Sequence, residues 1–285
     1  MPCWVRQRPT PWTDGVTPGS SLSNVRGLIL DMDGVLMRGP VALPGVSELF
    51  ALLRARSISV VIASNNSTPT IDQVLERVNA AGAGAEAKEI LTSSQATADY
   101  LRAQSPGGGR VFVVGEAGLH DALVDAGFEI AEDHRQVEAV VVGMCRDLTW
   151  EMLVQATLAI RSGARFVGTN PDRTFPSEAG IIPGAGSILA ALVAASDTEP
   201  TIIGKPEPHL FLAALSRLGT LAEETAVVGD RLETDILGGK NAGLTTILVM
   251  TGVTTGKDLS QATIMPDWTF NDLSDLCRAL EGAAG

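Results

Sequence analysis

Cysteine is scarce in this chain, and its placement excludes two architectures at once. Cys3, Cys145 and Cys277 are odd in number, widely spaced and without a CxxC pair, so neither a disulfide framework nor a zinc site is indicated. Reduced thiols follow. Basic residues are also in short supply, 21 Lys and Arg against 33 Asp and Glu, for a net charge of −12. That balance argues against a nucleic-acid surface, which needs clustered cations. It also repels anions, so an anionic substrate would have to be drawn in by a local cation. No long apolar run is present; the best stretch, Ile188 to Ala195, is far too short to span a membrane. Met1 to Ser23 carries Arg6 and Arg8 but no apolar core of a signal peptide, and its Pro, Thr, Gly and Ser content reads as a flexible arm. His120, His134 and His209 share no metal-binding spacing, although His209 follows a Gly-Lys-Pro turn closely enough to approach whatever that turn serves. Gly107-Gly108-Gly109 precedes a strand and so reads as a linker, not a loop that cradles phosphate. These absences leave a soluble, cytoplasmic protein.

What is present is a globular composition, 45% apolar and 19% charged, over a length that can bury a sizeable core. Strand-like and helix-like stretches alternate, which predicts an α/β fold with parallel sheets covered by helices. Leu28-Ile29-Leu30 opens it, and a helix follows with Val46, Leu49, Phe50 and Leu53 on one face. Ile58 to Ala63 is a buried strand, after which Thr68 is expected to cap a helix with Pro69 at its first position. Residues 110–114, 139–142 and 165–168 read as strands of a separate middle region, with a helix through Trp150 and Ile160. The style of the first region returns near Thr201, with strands at 225–229, 246–250 and 268–270. The expected organisation is an arm over 1–23, a core from 24–89 and 186–285, and an inserted α/β domain over 90–185.

Several apolar strands of the core end in polar residues: Asp31 and Asp33, Ser64 and Asn65, and Asp230 with Asp235. In open α/β sheets ligands bind beyond the carboxyl ends of strands, so these groups would converge. Lys205, in Gly204-Lys205-Pro206, enters from the same layer. Each has an ordinary alternative. Asp-x-Asp-Gly is common turn chemistry, Ser64-Asn65 suits a helix entry, and Lys205 could be a solvated surface lysine. A calcium loop fits less well, because Val35 stands where its next ligand would be. Order and position together favour a cleft. Carboxylates suit a hard, oxygen-preferring cation such as Mg²⁺, and a hydroxyl with an ammonium suits a phosphate; together they describe phosphoryl transfer without a Walker loop.

The pieces Asp31-Met32-Asp33-Gly34-Val35-Leu36, Ser64-Asn65-Asn66-Ser67, Gly204-Lys205-Pro206 and Gly229-Asp230-Arg231-Leu232-Glu233-Thr234-Asp235 resemble, in order, the four motifs of the haloacid dehalogenase-like phosphatases. The insertion after the second motif, with Gly168-Thr169-Asn170-Pro171-Asp172 and Pro183-Gly184-Ala185-Gly186-Ser187, resembles subfamily IIA. The resemblance implies a Rossmann-like core with helices on both faces and a C2-type α/β cap. It implies a hydrolase acting on a small phosphorylated metabolite, with Asp31 as nucleophile and Asp33 as acid and base. Mg²⁺ would lie on the Asp31 carboxylate, the Asp33 backbone carbonyl and Asp230. Ser64, the backbone of Asn65 and Lys205 would hold the phosphoryl oxygens, and Asp235 would steady Lys205 or a metal-bound water. Asn170, Asp172 and Arg173 would lie near the leaving group, though as a polar turn they could equally pack cap on core. Dimerisation through the cap is implied as well. A phosphotransferase or mutase on the same core, and a non-catalytic phosphometabolite-binding protein, remain as other readings.

Overall fold

The buried run Gly27–Leu30 forms strand β1, and both of its neighbours come from distant parts of the chain. The computed structural model describes residues 22–177 and 179–283, so the arm expected over 1–23 lies almost wholly outside them. Of that arm only Leu22 and Ser23 are described; they begin a turn of 3₁₀ helix, Leu22–Asn24, with Leu22 buried. After β1 the short strands β2 (Met37–Arg38) and β3 (Val41–Ala42) form a hairpin, followed by helix α1 (Val46–Ala55). Then come β4 (Ser59–Ser64), α2 (Ile71–Ala80), β5 (Ile90–Thr92) and α3 (Ser93–Gln104). The middle of the chain supplies β6 (Gly109–Val114), α4 (Ala117–Asp125), β7 (Phe128–Ile130), β8 (Ala139–Val142), α5 (Trp150–Arg161) and β9 (Arg165–Gly168). A hairpin of β10 (Thr174–Ser177) and β11 (Gly180–Pro183) leads to α6 (Ala185–Ser196) and β12 (Thr201–Ile202). The chain continues with α7 (Pro208–Leu218), β13 (Thr225–Gly229), a π-helical turn (Leu232–Ile236) running into α8 (Leu237–Asn241), and β14 (Thr245–Val249). It ends with α9 (Gly256–Ser260), β15 (Trp268–Phe270) and α10 (Leu273–Gly282).

Two parallel sheets result. The core sheet runs β15-β14-β13-β1-β4-β5, and the cap sheet runs β12-β9-β8-β6-β7. Both are covered by helices, which is why their central strands are apolar without alternation. One apolar cluster gathers Leu28, Leu30 and Val228 with α1, α2 and α10 on one face of the core sheet. On the other face Ile29, Val61 and Val227 pack with Leu210, Phe211 and Ala214 of α7, and this cluster continues through Leu101 into Leu119 and Val141 of the cap.

Two expectations shift. Thr70, not Thr68, caps α2: its hydroxyl accepts from Gln73 N, and the Gln73 side chain accepts from Thr70 N in return. The insertion expected over 90–185 also sits differently. β5 pairs with β4 in the core sheet, whereas α6 packs on Val140 and Phe166, and β12 pairs with β9 in the cap sheet. We therefore propose an inserted unit running from about Ser105 to Ile202. Among the described residues no helix is long and apolar enough to cross a membrane.

Register places the polar ends. Leu30 is level with Val228 on one side and Ile62 on the other. Asp31, Asp230 and Ser64 therefore leave three adjacent strands within a residue of one another. The chain leaves β1 toward β4 on one side and leaves the adjacent β13 toward β14 on the other, and such a reversal marks the crevice where open α/β sheets take their ligands.

Candidate active site

Lys205 is the fixed point of this crevice. It is 3% exposed, and its ammonium donates to Asp31 Oδ1 at 2.5 Å, Asp235 Oδ1 at 2.7 Å and the Ala63 carbonyl at 3.2 Å. All three of its donors are used. Burial alone would lower its pKa, but Asp235 and Asp31 outweigh burial and hold it above the ordinary lysine value. It is therefore charged. The Asn65 side chain fixes its backbone from both ends: Oδ1 accepts from Lys205 N at 2.8 Å and Nδ2 donates to Lys205 O at 3.0 Å.

Three carboxylates surround this single ammonium. Asp31, Asp230 and Asp235 each offer one oxygen within 4.8 Å of the others'. Burial pushes Asp31 up to about 8; Lys205 pulls against that, while Asp235 and Asp230 add to it. Asp230 is pushed up to about 6, by burial first and then by Asp235, against a hydrogen bond from Val253 N. That bond, at 2.6 Å, goes to Oδ2; Oδ1 is buried and has no partner. A buried carboxylate oxygen without a donor costs free energy unless something positive meets it. The donor set is all oxygen and carries surplus negative charge, so the site fits a hard divalent cation. The backbone makes room for Asp230 on two sides, since a Cβ on Gly34 or Gly252 would fall 2.4 or 1.8 Å from its Oδ2. Gly34 also has φ +91°, a conformation other residues rarely adopt.

The remaining expected residues are distributed around this cluster. Asp33 does not join it: its half-exposed carboxylate takes a hydrogen bond from Arg77 Nη2 at 3.4 Å. Ser64 is buried, and its hydroxyl accepts from Asn66 N at 3.2 Å. From the cap, Asn170 Nδ2 donates to the Asn65 carbonyl at 2.8 Å, and Asp172 Oδ2 accepts from Asn65 Nδ2 at 3.3 Å. Burial raises the Asp172 carboxyl above its usual range. Arg173 is exposed; its carbonyl accepts from Ser187 Oγ and Gly184 N. His209 packs edge-on against Tyr100, with ring centroids 5.0 Å apart. A cavity of about 560 Å³, lined by Arg54, Lys88, Glu89 and Arg217, opens at the opposite end of β4, and none of the clustered carboxylates lines it.

Two features were not read from the sequence. The Asn65 side chain was expected to matter only through its neighbouring backbone, yet it clamps Lys205 and meets the cap. Arg77 carried no signal beyond its place on a helix surface.

Comparisons with known proteins agree with one another. A family described as haloacid dehalogenase-like hydrolase matches residues 28–129, and a second, HAD-hydrolase-like, matches residues 202–276. The acid sugar phosphatase of Staphylococcus aureus is 38% identical over 260 residues, 91% of this chain and 100% of the relative. Among solved structures, a p-nitrophenyl phosphatase from Archaeoglobus fulgidus superposes with a TM-score of 0.85 at 37% identity, over 92% of this chain and 100% of its own. NagD from E. coli K-12 superposes with a TM-score of 0.82 at 35% identity, over 88% and 98%.

Proposed function

Because this chain belongs to the haloacid dehalogenase-like hydrolases and is a phosphatase of the NagD-like subfamily IIA, we propose that its buried cluster hydrolyses a small phosphate monoester through Asp31. The observation that carries this reading is Asp31 itself, a carboxylate at a strand end with a fixed ammonium on one oxygen. Lys205 orients the carboxylate and neutralises charge on the arriving phosphoryl group. The free Asp31 oxygen attacks phosphorus, the P–O bond to the alcohol breaks, and Asp33 gives its proton to the departing oxygen. Water then attacks the aspartyl-phosphate, Asp33 takes the proton, and inorganic phosphate leaves with Asp31 restored. Ser64 and the Asn65 backbone hold the other phosphoryl oxygens. Asp235, on the ammonium, keeps Lys205 charged and aimed.

Mg²⁺, held by the Asp31 carboxylate, the Asp33 backbone carbonyl and Asp230, would supply positive charge against the phosphoryl oxygens and keep Asp31 ionised. The unpartnered Asp230 Oδ1 supports this assignment. Asn170, Asp172 and Arg173 belong to the cap side that meets the leaving group, and the activities for which the relatives are named support sugar phosphates and other small monoesters as the substrate class. We place the protein in the cytoplasm, in keeping with Cys145 and Cys277 as free thiols.

Turnover of p-nitrophenyl phosphate with Mg²⁺ and with EDTA tests the whole reading. Activity is expected only with the metal, and Asp31→Asn is expected to reduce it on the order of 10⁴-fold. Full activity of Asp31→Asn, or metal-independent turnover, would sink it.

A further inference from the structure

Asp33 sits two residues from Asp31, yet its carboxylate lies outside the cluster and is held by a residue that none of the four sequence pieces contains. Arg77 Nη2 donates to Asp33 Oδ1 at 3.4 Å and also lies 3.5 Å from Met37 Sδ. Met37 opens the β2–β3 hairpin and is bridged to Asp33; Gly34 N donates to its carbonyl at 2.7 Å. One guanidinium thus touches both the side chain of Asp33 and the loop that carries it. An arginine in the last turn of a helix often needs no explanation beyond the helix dipole. Here the helix is a stiff mount. α2 is anchored by the fully buried Val74 and Val78, which flank Arg77 and pack in the same cluster as Met32 and Met37. Its reciprocal cap at Thr70 fixes its entry from the Ser64 loop.

We propose that Arg77 is the positioning residue for Asp33: it holds Oδ1 so that Oδ2 is presented to the leaving-group oxygen. Among the described residues Oδ2 takes no hydrogen bond. The pair is half exposed on both sides and 3.4 Å long, so its attraction is weak and solvent-screened. It restrains the carboxylate at Oδ1 and leaves Oδ2 to carry the proton that the acid role requires. In the step it serves, that proton passes to the leaving oxygen as the P–O bond breaks, and the bonding pair stays on that oxygen. This inference rests on the reading of Asp33 as acid and base.

The test uses two aryl phosphates of similar shape. Nitrophenolate leaves readily without a proton, whereas phenolate leaves poorly without one. Measured as kcat/KM, which reports the steps through the first P–O cleavage, Arg77→Met is expected to lose about tenfold on phenyl phosphate and less than about twofold on p-nitrophenyl phosphate. Arg77→Lys is expected to recover part of the loss. In an Asp33→Asn background the Arg77→Met effect should vanish, because residues acting through one group are not additive. Equal losses on both substrates, a gain in rate, or an undiminished effect in the Asp33→Asn background would each overturn the proposal. Should Arg77→Met fail to fold, Arg77→Lys carries the same two-substrate comparison. Asp33→Asn alone separates the two ideas. If it spares phenyl phosphate, the acid–base reading falls and this inference with it. If it costs more on phenyl than on nitrophenyl phosphate while Arg77→Met does not, only the role of Arg77 falls.

Discussion

The two parallel sheets of this chain are built alike and end differently. Both have buried apolar central strands, Leu28 to Leu30 in the core and Val140 to Val142 in the cap. Beyond those strands the core places Asp31, Ser64 and Asp230, whereas the cap places Gly115, Gly143 and Thr169 after β6, β8 and β9. Charge at the core ends is costly to bury, and the raised pKa values of Asp31 and Asp230 express that cost. Small neutral ends cost nothing and let the cap come close. Gly118, at the start of α4, donates its N–H to the Thr68 carbonyl at 3.1 Å, and a Cβ there would lie 2.0 Å from the Pro69 carbonyl oxygen. The lesson is a division of labour: one sheet carries unfavourable charge for chemistry, and the other is shaped to lie against it.

Short of Asp31 itself, the largest effect should come from removing the buried ammonium of Lys205. Lys205→Met is expected to reduce kcat on p-nitrophenyl phosphate on the order of 10³-fold, since it deletes a buried donor aimed at the reacting carboxylate. A variant within a few fold of wild type would mean that the ammonium is structural, and the contrast between the sheets would lose its catalytic meaning.

The next effect is on stability, and its sign follows from the carboxylates. An aspartate titrates near 3.8 in the unfolded chain, but Asp230 is pushed up to about 6 and Asp31 to about 8 in the fold. Between these values the folded state binds more protons than the unfolded state, so stability falls as pH rises. In EDTA, melting temperature is expected to drop from pH 5 to pH 8. Across that window Asp230 alone accounts for a loss on the order of 1 kcal/mol. Lys205, raised above its ordinary value, keeps its charge throughout that window and does not cancel the trend. Mg²⁺ should restore stability more at pH 8 than at pH 5, because it binds the ionised cluster. A pH-independent melting temperature without metal would show that the core ends carry no such cost.

How much of this was legible beforehand depended on sequence distance. Asp31, Ser64 and Asp230 announce themselves because each follows an apolar strand within a residue or two, and parallel topology then brings strand ends together. The partners of β5 and β12 were not legible. Both are short strands whose sheet is decided by helices packing elsewhere, α6 on the cap among them. The contacts of Asn65 reach Asp172 and Lys205, 107 and 140 residues away, through a side chain that also suits a turn. No local pattern encodes such a pairing. Arg77 meets Asp33 across 44 residues from a helix surface that reads as ordinary solvent-facing charge.

Asn65 ties the catalytic end of the core to the cap, so it gives the finest test of how separate the two are. Its side chain makes two hydrogen bonds to the Lys205 backbone and a longer one to Asp172 of the cap, while its carbonyl accepts from Asn170. Asn65→Ala removes all the side-chain bonds, leaving the Lys205 backbone without its clamp and the half-buried Asp172 carboxyl without its donor. Asp172→Asn removes only a charge on the cap side, in nearly the same volume. If catalysis resides in the core ends and the cap only covers them, the two variants should separate. Asn65→Ala should lower kcat on p-nitrophenyl phosphate about tenfold through misplacement of the ammonium. Asp172→Asn should leave that kcat within about twofold and act instead on KM for sugar phosphates. Equal kcat losses would mean that the seam works as one unit and that the cap's polar turn belongs to the machinery it covers. A silent Asn65→Ala would mean instead that Lys205 is held by Asp31, Asp235 and the Ala63 carbonyl alone, three bonds made entirely within the core.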